Sequence, residues 1–89
     1  EDDVAATRRA DAYMNRQFLD PVFLGRYPAE LAEVYGEAWS DDVHARDMDL
    51  VREPIDWLGV NYYTRALTCA DDRAWPVGAG RVRVPSHAY

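Results

Sequence analysis

Ile55-Asp56-Trp57-Leu58-Gly59-Val60-Asn61-Tyr62-Tyr63-Thr64-Arg65 is a short apolar run that ends in a cluster of amide, phenol and hydroxyl groups. Residues 57–63 have the length and the β-branched and aromatic content of a buried strand. Side chains on a strand alternate between faces. Trp57, Gly59, Asn61 and Tyr63 would share one face, and Leu58, Val60 and Tyr62 the other. The first face passes from bulky to bare to polar as the strand ends. The second is apolar but for a phenol. A strand buried on both faces, with an amide and a phenol at its C-terminal end, suits a (β/α) barrel, whose active site is built at that end.

Working outward, the chain before this run reads as helical. Val4, Ala6, Ala10, Tyr13, Met14 and Phe18 recur at three- and four-residue spacing, which predicts an amphipathic helix over residues 3–18. Asp20-Pro21 reads as a helix restart, with Asp as the cap and Pro in the first helical position. Gly25 can supply a left-handed cap. A short helix is expected over Ala29–Tyr35, ended by Gly36, then a polar loop over Glu37–Asp42 around Trp39. Asp47 can cap a last turn over Met48–Arg52, and Glu53-Pro54 stops it. Residues 20–52 are thus short helices and loops. Beyond Thr64, Ala70-Asp71-Asp72-Arg73 and Trp75-Pro76-Val77-Gly78-Ala79-Gly80 are turn-forming. Arg81-Val82-Arg83-Val84-Pro85 alternates and suits a short edge strand or an extended arm. Residues 67–89 are read as a loop leaving the barrel rim.

Two of these stretches carry a family resemblance. Pro54 to Thr64 is similar to the sixth barrel strand of the β-glucosidases of glycoside hydrolase family 1, whose pattern is roughly D-F-[LIV]-G-[LVI]-N-Y-Y-[ST]; Trp57 stands where Phe is commoner. Arg9-Ala10-Asp11 and Asn15-Arg16-Gln17-Phe18-Leu19-Asp20-Pro21-Val22-Phe23-Leu24-Gly25-Arg26-Tyr27-Pro28 resemble the preceding helix and the L-D-P-x-x-x-G-x-Y-P segment that follows it. The resemblance covers residues 4–66. It implies an α/β fold in which the chain is a helix-rich segment of a (β/α)8 barrel leading into one buried strand.

It also implies a retaining β-glucosidase that needs no metal or cofactor, with a β-glucoside or short oligosaccharide as substrate. In the family the residues matching Asn61 and Tyr63 face the sugar. The matching Tyr hydroxyl holds the nucleophile's carboxylate, and the Asn adds an amide to the same polar network. The acid/base glutamate sits in an N-E-P motif and the nucleophile in an E-N-G motif. Neither motif occurs here, so no Asp or Glu of this chain is assigned a catalytic role. Asp20 reads as a cap, Asp56 as strand entry, and Asp11 and Glu53 as solvated charges.

Length and charge bound the alternatives. The chain has 89 residues, and a (β/α) barrel takes about 250, so it is read as a piece of a longer protein. A different reading is a small stand-alone helical interaction module of the same ancestry, whose apolar strand would need a partner. The net charge is −6, from 16 acidic and 10 basic residues, all ten of them Arg. That balance argues against nucleic-acid binding, which needs clustered positive charge. The single Cys69 excludes an internal disulfide framework. His44 and His87 stand far apart, which does not suit a closed zinc site. Gly78 and Gly80 form G-x-G without the rest of a nucleotide-binding fingerprint. Arg65, just past the strand, ranks below Tyr63 as a sugar or carboxylate contact.

Overall fold

A computed structural model describes residues 2–83, with the side chains of residues 41–45 left aside. The first helix, α1 (Asp2–Asp11), opens with Asp2 and Asp3 and closes with Arg8 and Arg9, charges that complement the helix dipole at both ends. It does not stop at Asp11. One wide π-helical turn, Ala12–Arg16, carries it into α2 (Gln17–Leu24). Gly25 then ends α2 in the left-handed conformation, φ 70°, and its N–H bonds the Pro21 carbonyl at 3.2 Å. Here the glycine has a clear cause, because a side chain at φ > 0 is strained. An added Cβ would also stand 3.1 Å from Cδ of Arg52.

Asp20-Pro21 is not a restart. Pro21 is buried inside α2, and the helix begins earlier, after Arg16. The wide turn has already interrupted the regular ladder, so the proline removes one further bond near the start of α2 rather than opening a new helix. Helix α3 (Glu30–Tyr35) ends at Gly36, φ 57°, as expected, and a 3-10 turn, Gly36–Ala38, follows. Helix α4 (Asp41–Val51) is longer than the single turn expected there. It begins after an extended Ser40, and Asp47 lies inside it rather than at its cap.

Two corrections concern the second half. Residues 57–63 form no ladder, and their side chains stand in the open: Trp57 is 80% exposed, Val60 70% and Tyr63 83%. A strand is held by hydrogen bonds to neighbouring strands, and no described residue offers them here. Residues 68–81, expected as loop, instead contain an antiparallel pair, β1 (Thr68–Ala70) and β2 (Ala79–Arg81), in register Thr68↔Arg81, Cys69↔Gly80 and Ala70↔Ala79. The pair lies against α1. Residues 84–89, the rest of the expected rim loop, fall outside the described residues, as do the side chain of His44 and all of His87.

The buried apolar core is small: Ala6 and Ala12 on the long helix, Leu31 on α3, and Met48 on α4. The apolar stripe expected to face inward is only partly covered. Ala6 is buried, but Val4, Met14 and Phe18 are more than half exposed. Among the described residues Leu31 is the largest fully buried side chain. Its truncation, Leu31→Ala, is expected to cost about 2–4 kcal/mol, the lost transfer energy plus the cavity. Urea denaturation followed by circular dichroism reads this as a fall in midpoint; an unchanged midpoint would show that α3 contributes nothing to the cooperative unit.

Candidate functional site

The polar end of residues 55–65 lies across the long helix. Between them runs an open groove of about 470 Å³. One wall is the face of α1 and the wide turn that carries Thr7, Asp11, Met14 and Asn15. The other is Asn61–Ala66, with Thr68 and Arg81 of the hairpin closing one end. Asn61 and Tyr63 both open onto this groove. Tyr62 lines it too, against the expectation that it packs on the opposite side. Without a ladder to pin the pleat, successive side chains are not forced to opposite faces. Arg65 is also part of this wall.

The helix side of the groove rests on an ion network that the sequence did not reveal. Arg16 donates from Nε to Asp11 Oδ2 at 2.7 Å and from Nη2 to Glu30 Oε2 at 2.8 Å, and also bonds the Arg8 carbonyl at 3.1 Å. Asn15 Nδ2 donates to Asp11 Oδ1 at 2.8 Å. Asp11 is thus a partnered residue, not a solvated charge. The hydrogen bond from Arg16 holds the Glu30 carboxyl below its ordinary range, against the opposing effect of burial. The same bond holds the Arg16 guanidinium above its own. Asp11 and Arg16 are five residues apart, which is not an α-helical spacing. The wide turn brings them together, because its repeat of bonding is i→i+5.

This network makes stability pH-dependent on the acid side. A carboxyl whose pKa is lower in the folded state stabilises the fold above its unfolded value, near 4.3, and that contribution is lost as pH falls through the folded value. The side chains are 25–45% exposed, so solvent screening limits the effect to about 0.5–1 kcal/mol. Glu30→Gln is expected to lower stability by that amount near neutral pH and to flatten part of the acid decline. Urea titrations from about pH 3 to about pH 7 measure it; parallel curves for the two proteins would show that the pair contributes nothing. The raised value of Arg16 acts only at the alkaline extreme.

Nearby aromatic rings pack on one another rather than lining the groove. Tyr35 stacks on Trp39 with ring centres 5.8 Å apart, Tyr27 meets Trp39 edge-on at 5.3 Å, and Tyr35 donates to Gln17 Oε1 at 3.0 Å. Cys69 is half-buried in β1, with Sγ 3.7 Å from the Gly80 carbonyl. Among the described residues no group of three His, Cys, Asp or Glu could hold a metal ion, and no helix is long and apolar enough to cross a membrane.

Comparison with known proteins identifies relatives of the chain. The sequence model of glycosyl hydrolase family 1 matches residues 1–78, well beyond the stretch that carried the resemblance. A β-glucosidase of Agrobacterium sp. is 43% identical over 72 residues, which is 81% of this chain and 15% of that protein. A bifunctional β-D-glucosidase/β-D-fucosidase of Bifidobacterium breve is 44% identical over 72 residues, 80% of this chain and 16% of that protein. Among solved structures, a family 1 β-glucosidase from Exiguobacterium antarcticum superposes with a TM-score of 0.81 at 30% identity, over 94% of this chain and 19% of that one. The chain thus spans less than a fifth of the relatives it matches. Its helix-rich architecture, with two short strands among the described residues, is consistent with a partial (β/α)8 barrel. By the match over residues 1–78, the chain belongs to glycosyl hydrolase family 1.

Proposed function

We propose that this chain is part of a retaining β-glucosidase that cleaves terminal, non-reducing β-D-glucosyl residues from β-glucosides or short oligosaccharides, without metal or cofactor. The observation that carries the reading is the family match over residues 1–78, with relatives named as β-glucosidases. In this reading residues 57–63 are the sixth strand of the barrel. They gain their ladder, and lose their exposure, against strands contributed by other parts of the polypeptide. Tyr63 donates its hydroxyl to the nucleophile's carboxylate, and Asn61 adds an amide to the same network. Both catalytic glutamates lie outside these residues. They stand about 5 Å apart across the scissile bond, one as acid/base and the other forming the covalent glycosyl-enzyme.

The surface supports the same conclusion. A compact protein of 10.2 kDa exposes about 5,300 Å² by the usual scaling of area with mass. This chain exposes 7356 Å². The excess, about 2,000 Å², is more than twice the ~800 Å² that one partner buries in a standard protein interface, and Trp57, Tyr62 and Tyr63, each more than three-quarters exposed, contribute to it.

The test is to read and express the whole reading frame that contains this chain. The expected result is an N-E-P motif upstream, an E-N-G motif downstream, and hydrolysis of an aryl β-D-glucoside with β-glucose as the first product by NMR. A first product of inverted configuration overturns retention. A frame that ends close to both termini with neither motif overturns the glucosidase reading itself.

A further inference from the structure

The turn between β1 and β2, residues 71–78, is closed by its own hydrogen bonds. Asp71 N–H donates to the Gly78 carbonyl at 3.0 Å, Ala74 N–H to the Asp71 carbonyl at 2.9 Å and Gly78 N–H to the Ala74 carbonyl at 2.8 Å. Asp71 Oδ1 accepts the Arg73 N–H at 3.1 Å and fixes the first corner. The closed turn is then fastened to α1. Arg9 donates from Nε to the Val77 carbonyl at 2.6 Å and from Nη2 to the Gly78 carbonyl at 3.3 Å, and Asp3 Oδ1 accepts the Ala70 N–H at 2.8 Å. None of these bonds involves residues 57–66, so the turn keeps its shape whatever strands flank that run.

Within the turn the side chains are sorted against their hydrophobicity. Ala74, Pro76 and Val77 are half-buried. Trp75, the largest apolar side chain of the turn, is 89% exposed. The Arg73 side chain is 95% exposed, with Asp71 Oδ1 3.7 Å from its Nε. Trp and Arg are the side chains that contribute most at recognition surfaces, and on a turn already held in shape little entropy remains to be lost when they bind.

Topology says what they face. In the barrel reading of residues 57–63 this turn belongs to the loop that leaves the sixth strand, and such loops build the active-site face. α1 follows the fifth strand and so starts at that same face. Asp3, which holds β1, lies in the first turn of α1, so the hairpin is fastened at the end of the helix where that loop should be. The glucosyl unit to be cleaved occupies the barrel mouth beside Asn61 and Tyr63. A side chain on the rim therefore meets the other side of the scissile bond. A β-linked glucose ring offers flat C–H faces and a belt of hydroxyl oxygens; an indole suits the first and a guanidinium, with five donors, the second. We infer that Trp75 and Arg73 form a leaving-group platform, with the indole under a β-linked glucosyl ring beyond the scissile bond and the guanidinium donating to its hydroxyls. What the platform faces rests on the β-glucosidase reading; the shape of the turn does not.

Steady-state kinetics of the whole protein encoded by the reading frame test it, with methyl β-D-glucoside and β-linked glucose oligosaccharides of two to four units as substrates. In Trp75→Ala the loss of kcat/KM is expected to grow with the length of the leaving group. It should be smallest on the methyl glucoside and about tenfold on the longest oligosaccharide, the worth of one aromatic contact. The loss should lie in KM, since the contact is the same in ground and transition states. Trp75→Tyr, which keeps a ring, is expected to retain most of the length dependence. Arg9→Ala, which frees the turn from α1, is expected to weaken it in the same direction. An equal loss on every substrate, or no loss on any, overturns the platform. An equal loss with a lower melting temperature would show instead that Trp75 packs against another part of the polypeptide. A wild-type protein that leaves methyl β-D-glucoside and the oligosaccharides uncleaved overturns the β-glucosidase reading and the platform with it; an active one without length dependence at Trp75 overturns the platform alone.

Discussion

The 89-residue chain on its own is expected to hydrolyse an aryl β-glucoside no faster than buffer does. Enzymes of this kind lower the barrier by roughly 8–23 kcal/mol, and a retaining glycosidase does so with two carboxyl groups in different protonation states. One must keep its proton at working pH, which requires a raised pKa. Asp11 and Glu30 are held on the same guanidinium, and the pair invites that reading. Its electrostatics run the other way. Arg16 binds both, and its hydrogen bond holds Glu30 below the ordinary carboxyl range. A carboxyl so held cannot donate a proton near neutrality. The assay is release of the chromophore against chain concentration. Turnover that scales with the chain and disappears in Glu30→Gln would overturn the expectation.

In the β-glucosidase proposed above, Tyr63→Phe is expected to lower the rate of glycosidic cleavage by about 10- to 100-fold, the worth of one hydrogen bond to a charged group. The ring remains, and in this chain it is 83% exposed, so the loss of a hydroxyl leaves the described fold with little to lose. The pH profile separates this role from simple packing. A bond donated to a carboxylate favours its charged form and lowers its pKa. Removing the hydroxyl should therefore move the acid limb of kcat/KM to higher pH. A lower rate with an unmoved acid limb would mean that Tyr63 touches the substrate rather than the nucleophile. Unchanged kinetics would take it out of the site.

The sequence carried the family through local motifs and the helices through local chemistry. Gly25 and Gly36 end α2 and α3 as their freedom at positive φ allows, because a helix stop is decided by one or two residues. What it did not carry was whatever depends on partners distant along the chain. Residues 57–63 have the composition of a buried strand, but burial belongs to the neighbours and not to the run itself. The hairpin was missed because its strands are three residues each and eight residues apart. Thr68-Cys69-Ala70 and Ala79-Gly80-Arg81 show no alternation long enough to read. What holds them is pairing with each other and two side chains of α1, nearly seventy residues away. In the groove, Asn61 and Tyr63 were legible as polar residues closing an apolar run. The Arg16 network was not, because periodicity arguments assume 3.6 residues per turn and the helix departs from that where the network forms.

That departure has a consequence for how the family can change length. A residue inserted into or removed from an ordinary helix turns every later side chain by about 100° about the axis. A wide turn at Ala12–Arg16 absorbs one extra residue locally and leaves the helix on either side in phase. Between Asp2 and Leu24 it is the place where a relative could be one residue shorter while Ala6 and Pro21 kept their buried faces. A homologue with an unbroken α-helix here should lack one residue from this turn, and its Asp and Arg would then stand four apart, a spacing that pairs them on an ordinary helix.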